Sequence, residues 1–329
     1  MKRMISGIKP TGKVTLGNYL GAIKPFTQYQ DQYDLFVFVA DLHALTIYVK
    51  PEELKENIDN LIAIYLAAGL DPDKCTIFKQ SDVPAHTQLE WILTCNTNVS
   101  DLTKMPQYKN YLDKHRGEST PCGILMYPSL MSADILLADA DYVPVGIDQK
   151  PHVDLTRDVA ENFNKRYNNK KFFKLPEAVV SNLGAKIMSL SDPSKKMSKS
   201  ESDKGTIYLL DDVEISRKKI MKAVTDSEGK IYYDPINKPG ISNLITIYAI
   251  LKNLSRDEVE ELYRDEKDYG KFKRDVADVV CDEILKIQTK VKQIKGNLTL
   301  KETLFKGAKK ASIIAEKKIA EAYKIIGLK

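Results

Sequence analysis

The sequence predicts an α/β fold in which a doubly wound, Rossmann-like parallel sheet forms a catalytic domain and a C-terminal α-helical domain follows. Three observations support this prediction. Short apolar runs alternate with helical periods over the first two-thirds of the 329 residues, and 43% of the residues are hydrophobic. After about residue 205 only helical patterns remain. Alternation of this kind is typical of a parallel sheet, which binds ligands at the carboxyl ends of its strands.

Four short apolar segments are candidate strands of this sheet. Met4–Ser6 is the first, and Leu35–Ala40 is a continuous apolar run, as expected for a strand that is covered on both faces. Thr76–Phe78 and Tyr142–Gly146 follow. Helical patterns lie between them, which gives the order of elements that a doubly wound fold requires.

The spacing of apolar residues marks the helices of this region. One helical pattern begins at Leu16, although Pro25 inside it should kink or end the helix. Pro51 opens a clear amphipathic helix, which Gly69 should close. A polar stretch near residues 100–120 is expected to be an exposed insertion.

Residues 1–205 are therefore assigned to the catalytic domain and residues 206–329 to a helical region. The spacing Asp211-Asp212-Val213-Glu214 predicts a capping box at a helix start. The last helix is a candidate to pack back on the catalytic domain. Further helices are predicted near residues 242–253, 256–264, 272–294 and 302–326.

Charge is unevenly spread along the chain. The net charge is +5, but residues 286–329 hold 12 lysines and three glutamates, a net of +9, so the rest of the chain carries −4. A basic end of this kind is typical of a protein that binds a polyanionic partner, but it also occurs on a helix face that is simply solvated.

Several classes of protein are excluded by composition. The longest uncharged apolar run, Leu61–Leu70, is about half the ~20 residues of a membrane span. The four cysteines lack CxxC pairing, and His86, His115 and His152 show no metal-like spacing with them, so neither a disulfide framework nor a protein-bound metal is expected. We expect a cytoplasmic protein without a membrane partner.

Trp91, the only tryptophan, should lie in the core or at an interface.

Two polar segments could bind phosphate groups. In the first, Gly7–Gly12 leads through Thr15 to a helix start, and Gly17 would let a ligand approach the backbone. It is neither a G-x-G-x-x-G nor a Walker A sequence, so a tight βα turn explains the glycines equally well. The second segment, residues 192–205, contains Lys195–Ser200, whose lysines could offset phosphate charge or form a solvated loop.

Together these segments resemble the signatures of the class I aminoacyl-tRNA synthetases. Lys196–Ser200 reads KMSKS, and Thr15–Asn18 is similar to the H-I-G-H element of that class, with a strict match only at Gly17. The similarity covers residues 1 to about 250 in register. The following stretches resemble the tryptophanyl-tRNA synthetases of bacterial type: Ser6–Gly12, Gly17–Ala22, Asp41–Ala44, Tyr127–Leu136, Val143–Gln149, Val224–Gly229 and Lys238–Leu244.

The resemblance implies a tryptophan–tRNA ligase that acts on L-tryptophan, Mg²⁺-bound ATP and tRNA(Trp), as a homodimer. The tryptophan carboxylate would attack the α-phosphate, giving tryptophanyl-adenylate and pyrophosphate, and the tryptophanyl group would then pass to the tRNA. The helical C-terminal region would handle the tRNA. Alternatives are the related tyrosine-specific synthetase, a non-catalytic paralogue that binds tryptophan or RNA, and another adenylyl-transferring enzyme of similar fold.

The resemblance also implies the site residues. The implied catalytic residues are Thr15, Asn18, Lys196 and Lys199. The implied ATP-binding residues are Lys9, Pro10, Thr11, Gly17, Asn18, Gly146, Ile147, Asp148, Ile187, Lys196, Met197, Ser198, Lys199 and Ser200. The implied tryptophan-binding residues are Asp134, Ile5, His43, Tyr127, Met131, Val143, Val145 and Gln149.

The roles implied for Asp134 and Lys9 depend on their charges. An indole offers one N–H donor on a flat apolar surface, so Asp134 would select it by accepting that hydrogen bond, although an Asp at this place could also cap the following helix. Lys9 stands where the family usually has Gln. The added cation could strengthen phosphate binding or loosen the orientation of the amino acid.

Overall fold

The computed structural model describes residues 1–168, 171–180, 186–198, 203–296 and 298–329. Within these ranges one parallel sheet has the strand order β3-β2-β1-β4-β5. The order reverses at β1, as in a doubly wound sheet, which confirms the predicted fold class. The strands are β1 (Arg3–Ile8), β2 (Asp34–Val39), β3 (Thr76–Lys79), β4 (Tyr142–Val145) and β5 (Glu177–Val180).

Helices cover both faces of the sheet and continue beyond it. They are α1 (Leu16–Asn18), α2 (Lys24–Tyr29), α3 (Asp41–Ala44), α4 (Pro51–Ala68), α5 (Ala85–Thr94), α6 (Val99–Leu102), α7 (Pro106–Lys114), α8 (Cys122–Leu137), α9 (Lys150–Arg166), α10 (Val213–Met221), α11 (Pro239–Lys252), α12 (Arg256–Leu262), α13 (Tyr269–Lys295) and α14 (Thr299–Ile326). The four helices predicted after residue 240 are therefore present.

Alternate residues of the strands serve two apolar cores. Leu35 and Val37 of β2 join a core with α4, α11 and α13, whereas Phe36 and Phe38 join a second core with α5, α8, α9 and α14. Side chains of a strand point alternately to its two faces, so a fully apolar β2 is what a sheet buried on both sides requires. The continuous apolar run of the sequence is explained by this position.

Three local expectations need correction. Pro25 does not end the first helix, because a π-helical turn, Tyr19–Ile23, precedes α2 and places Pro25 in its first turn, where a missing N–H costs little. The N-cap of α10 is Asp212, which accepts from the Glu214 amide at 2.7 Å, and not Asp211. The polar stretch near residues 100–120, expected to be an exposed insertion, forms α7 and also contains the buried Leu102 and Met105.

The C-terminal helix α14 lies against the sheet. Gly307 is so close to the edge strand β3 that a Cβ atom there would lie 1.8 Å from the carbonyl oxygen of Ile77. Lys318 is buried, donates to the carbonyl oxygen of Phe172 at 2.6 Å and lies 2.6 Å from Asp139. Part of the basic C-terminal charge therefore holds α14 on the catalytic region.

We expect Gly307→Ala to destabilise the protein. Alanine favours an isolated helix, but here its methyl group must push α14 from β3, and overpacking of this kind costs about 1–3 kcal/mol. Thermal unfolding of Gly307→Ala and of the exposed control Lys309→Ala would measure the difference. A Gly307→Ala midpoint equal to that of the parent would show that α14 does not press on β3.

Candidate active site

The candidate site lies at the carboxyl ends of β1 and β4, beside the point where the strand order reverses. A cavity of about 430 Å³ opens there, within the size range of small-molecule sites. We call it the deep cavity. Its lining includes all eight residues implied for tryptophan: Asp134, Ile5, His43, Tyr127, Met131, Val143, Val145 and Gln149.

Asp134 is a buried carboxylate in the wall of this cavity. It is 1% exposed and lies within α8, so it does not cap that helix. His43 of α3 places Nε2 at 2.9 Å from Oδ2, and Gln80, in the 3₁₀ turn after β3, donates to Oδ1 at 2.7 Å. Two segments that are distant in the sequence, α3 and the turn after β3, therefore meet at a side chain of α8.

His86 of α5 also contacts Asp134, which sequence reasoning missed. Its Nδ1 lies 2.7 Å from Oδ1 of Asp134, although the contact is not aligned as a hydrogen bond, and its ring stacks on Phe78 at 6.0 Å between centroids. The sequence shows only an isolated histidine after Pro84, and its distance from Asp134 along the chain hides the contact. The only available signal was the order of elements, since α5 follows β3 after a single 3₁₀ turn.

The charge state of Asp134 follows from these neighbours. Burial alone would raise the pKa of Asp134, but its contacts with His43 and His86 outweigh burial and hold the pKa below its ordinary value. The side chain is therefore a carboxylate at neutral pH and can only accept hydrogen bonds.

Helix α7 contributes a wall that the sequence did not indicate. Gln107 and Tyr111 line the deep cavity, although they belong to the polar stretch predicted as an exposed insertion. Most other side chains of α7 are exposed, apart from Tyr108, which packs against the second core, so the pattern is polar overall and conceals the residues that face inward.

A second, more open cavity of about 820 Å³ adjoins the first and lies beside the start of α1. We call it the phosphate-side cavity. Lys9 lines both cavities. The second cavity also contains these residues implied for ATP: Thr11, Asn18, Lys196, Met197 and Ser198.

Gly17 shows how closely the two signature segments approach each other. A Cβ atom at Gly17 would lie 3.4 Å from the carbonyl oxygen of Met197, which is van der Waals contact, so the two segments lie side by side at this point. Thr15 lines neither cavity; its hydroxyl caps α1 by accepting from the Asn18 amide at 3.1 Å. The catalytic role implied for Thr15 stays a prediction, and in this structure the residue positions Asn18.

The turn after β4 lies at the mouth of the deep cavity. Gly146 lines that cavity, while Ile147 and Asp148 are exposed in the 3₁₀ turn that follows. Partial burial would raise the pKa of Asp148, but a hydrogen bond from Gln149 and the charge of Lys196 hold it below its ordinary value. Lys196 is thus close enough to this turn for its charge to act on Asp148.

The other residues implied for ATP either line neither cavity or lie outside the residues that the structure describes. Ile187 accepts from the Met197 amide at 2.9 Å and is buried, and Pro10 is buried beside the first loop. Neither lines one of the two cavities. Lys199 and Ser200 lie outside the described residues.

A protein-built metal cage is absent from the ranges that the structure describes, because they contain no group of three or more His, Cys, Asp or Glu side chains placed to hold an ion. In the same ranges, we find no helix of the length and apolarity that crossing a membrane needs.

Comparison with known proteins assigns the family. The family described as tRNA synthetases class I (W and Y) matches residues 1–285. The chain belongs to this family. It groups with the bacterial tryptophanyl branch, because a tryptophan–tRNA ligase from Malacoplasma penetrans is 48% identical over 332 residues, covering 100% of this chain and 98% of the relative.

Two solved class I synthetases share the fold over their full length. The tryptophanyl-tRNA synthetase of Mycoplasma pneumoniae superposes with a TM-score of 0.93 at 37% identity and covers 100% of this chain and 98% of its own. The enzyme of Campylobacter jejuni, solved with ADP and tryptophan, gives a TM-score of 0.82 at 34% identity, with coverage of 99% and 100%. The predicted family is therefore confirmed.

We expect Gln80→Leu to destabilise this synthetase. The change removes a donor to a buried carboxylate at nearly constant volume, and a hydrogen bond to a charged group contributes about 1.5–3 kcal/mol. Urea unfolding would measure the loss, with Gln88→Leu on the exposed face of α5 as the control. Equal stability of Gln80→Leu and the parent would contradict the network described for Asp134.

Proposed function

We propose that the chain is a tryptophan–tRNA ligase that forms tryptophanyl-adenylate and pyrophosphate from L-tryptophan and ATP and then charges tRNA(Trp). The observation that carries this proposal is a buried carboxylate, Asp134, in an apolar cavity that adjoins a lysine-bearing phosphate-side cavity. Full-length similarity to bacterial tryptophan–tRNA ligases supports it.

Selection of tryptophan would rest on Asp134. A carboxylate has about four acceptor positions, and His43 and Gln80 use two of them, so the contact with His86 still leaves capacity for an indole N–H. A side chain without such a donor would leave part of a buried charge unsatisfied, which is costly. Ile5, Met131 and Val143 would provide the apolar surface for the ring.

Activation of tryptophan would take place where the two cavities meet. The carboxylate oxygen of tryptophan would attack the α-phosphorus of ATP, and the bond to the bridging oxygen would break, so that pyrophosphate leaves with the electron pair. Lys196, together with Lys199 as the resemblance implies, would offset the charge on that leaving group. Asn18, placed by Thr15, would contact the phosphates from the start of α1.

Magnesium would enter this reaction as part of the substrate. Because the described residues offer no carboxylate cage, Mg²⁺ would be held by the ATP phosphates and water, a common mode for this ion. The protein's own part is then to position the Mg·ATP complex.

We propose that the protein forms a homodimer and acts in the cytoplasm. The support for a dimer is apolar surface on neighbouring helices, since Trp91 of α5 is 67% exposed and Val99 of α6 is 64% exposed. Trp91 therefore does not lie in the core. Of the two positions expected for it, a place at an interface is the one that remains.

Amino-acid-resolved pyrophosphate exchange tests the function directly. We expect exchange with tryptophan alone, and Asp134→Asn should lower kcat/KM for tryptophan at least about 100-fold, because a neutral amide presents a donor to the indole and a weaker acceptor. Asp113→Asn on exposed α7 is the control. Exchange with tyrosine instead would favour the tyrosine-specific alternative, and none with any amino acid would favour the non-catalytic paralogue.

Binding of tRNA should depend on exposed lysines of the basic C-terminal region. We expect a triple change to Gln at Lys286, Lys290 and Lys292, or at Lys306, Lys309 and Lys317, to raise KM for tRNA while exchange stays nearly intact. The salt dependence of tRNA binding should fall by about one unit of slope per lost phosphate contact. If neither triple variant changes KM for tRNA, the basic region acts only in folding.

A further inference from the structure

Lys9 is placed where the two substrates must meet. It is the first residue after β1, and it lines both the deep cavity and the phosphate-side cavity. Ile8 and Ile47 are the other residues shared by the two linings, and both are apolar. Among the described residues, Lys9 is thus the charged group common to both cavities.

The Lys9 side chain extends over an aromatic ring of the deep cavity. Its Nζ lies over the ring of Tyr127, 5.0 Å from the centroid, which is within the range of a cation–π contact. The Tyr127 hydroxyl pairs with Nε2 of the buried His152 at 2.6 Å, and the Tyr127 ring meets His43 edge-on at 6.1 Å. The aromatic wall below the ammonium group is therefore itself held in place.

The electrostatic setting suits an anion. Burial, followed by the charge of Lys9, lowers the pKa of His152 to about 4, and burial raises the pKa of Tyr127, so both are neutral at pH 7. Lys9 is reached by solvent through the cavity mouth, yet the surrounding protein displaces enough water to lower its pKa. An anion at this place would interact with the ammonium group more strongly than it would in bulk water.

We propose that Lys9 binds the tryptophan carboxylate and the α-phosphate at the same time and reduces the repulsion between these two anions as they react. The inference rests on the proposed function and deepens it. Lys9 transfers no proton: the carboxylate oxygen forms the new bond to phosphorus, and pyrophosphate takes the electron pair. Lys9 is thus a catalytic residue that acts through its charge.

The decisive measurement compares ligands with and without the carboxylate. Lys9→Met, which removes both the charge and the hydrogen-bond donor, should weaken binding of L-tryptophan about 10- to 100-fold, since a hydrogen bond between charged groups is lost. Binding of L-tryptophanol, in which an alcohol replaces the carboxylate, should change less than about twofold because it makes no use of that charge. Isothermal titration calorimetry measures both affinities.

Kinetics provide the second measurement. Lys9→Met should lower kcat for tryptophan-dependent pyrophosphate exchange by about tenfold or more, and Lys9→Arg, which keeps the charge, should retain most of it. Lys13→Met is the matched control, because Lys13 belongs to the same loop but pairs with Asp211 at 2.8 Å and lines neither cavity.

The outcomes separate this inference from the function on which it rests. No tryptophan-dependent exchange by the unaltered chain would overturn the function itself. Normal exchange by the unaltered chain and by Lys9→Met alike would overturn only the role of Lys9. Equal losses of affinity for tryptophan and tryptophanol would also overturn it, because Lys9 would then act through the shape of the Tyr127 wall.

Discussion

The buried charge of Asp134 constrains the arrangement of the elements around it. An isolated carboxylate in an apolar interior is costly, so partners must reach it from every side that faces protein. They come from α3, from the turn after β3 and from α5, which bring His43, Gln80 and His86 to one place. Because the first two of these segments follow parallel strands, their meeting depends on the order of the sheet. A shift of β3 along β2 would remove Gln80 from the carboxylate.

The same constraint extends to the C-terminal helix. A small void behind Asp134 is bounded by His86 on one side and by Ala311 and Ala315 of α14 on the other. Helix α14 thus packs next to the network of Asp134. This explains why small residues line the inner face of α14 and why a glycine is required at position 307, where the helix touches β3.

Prediction from the sequence succeeded where the signal is local and failed where it is not. Strands β1 to β4 and the helices after residue 240 have clear patterns, whereas β5 is short, half-exposed and at one edge of the sheet, and its pattern was not recognised. The residues of the deep cavity came from the resemblance to a family and not from physical spacing. His86 and Gln80 were missed because a contact with Asp134 across about 50 residues leaves no trace in either segment alone.

The net charge of the basic C-terminal region overstates what it can offer a polyanion. Lys318 is buried against Phe172 and Asp139, and Lys310 lies 3.5 Å from Asp34, so both act within the chain. Burial of Lys318 requires that its charge be met, and the carbonyl and carboxylate oxygens do so on a rigid part of the catalytic region. The region therefore serves two purposes that composition alone cannot separate: inward lysines attach α14 to the sheet, and outward lysines are left to attract phosphate. Loss of an inward lysine would disturb the packing behind Asp134, whereas loss of an outward lysine would leave it intact.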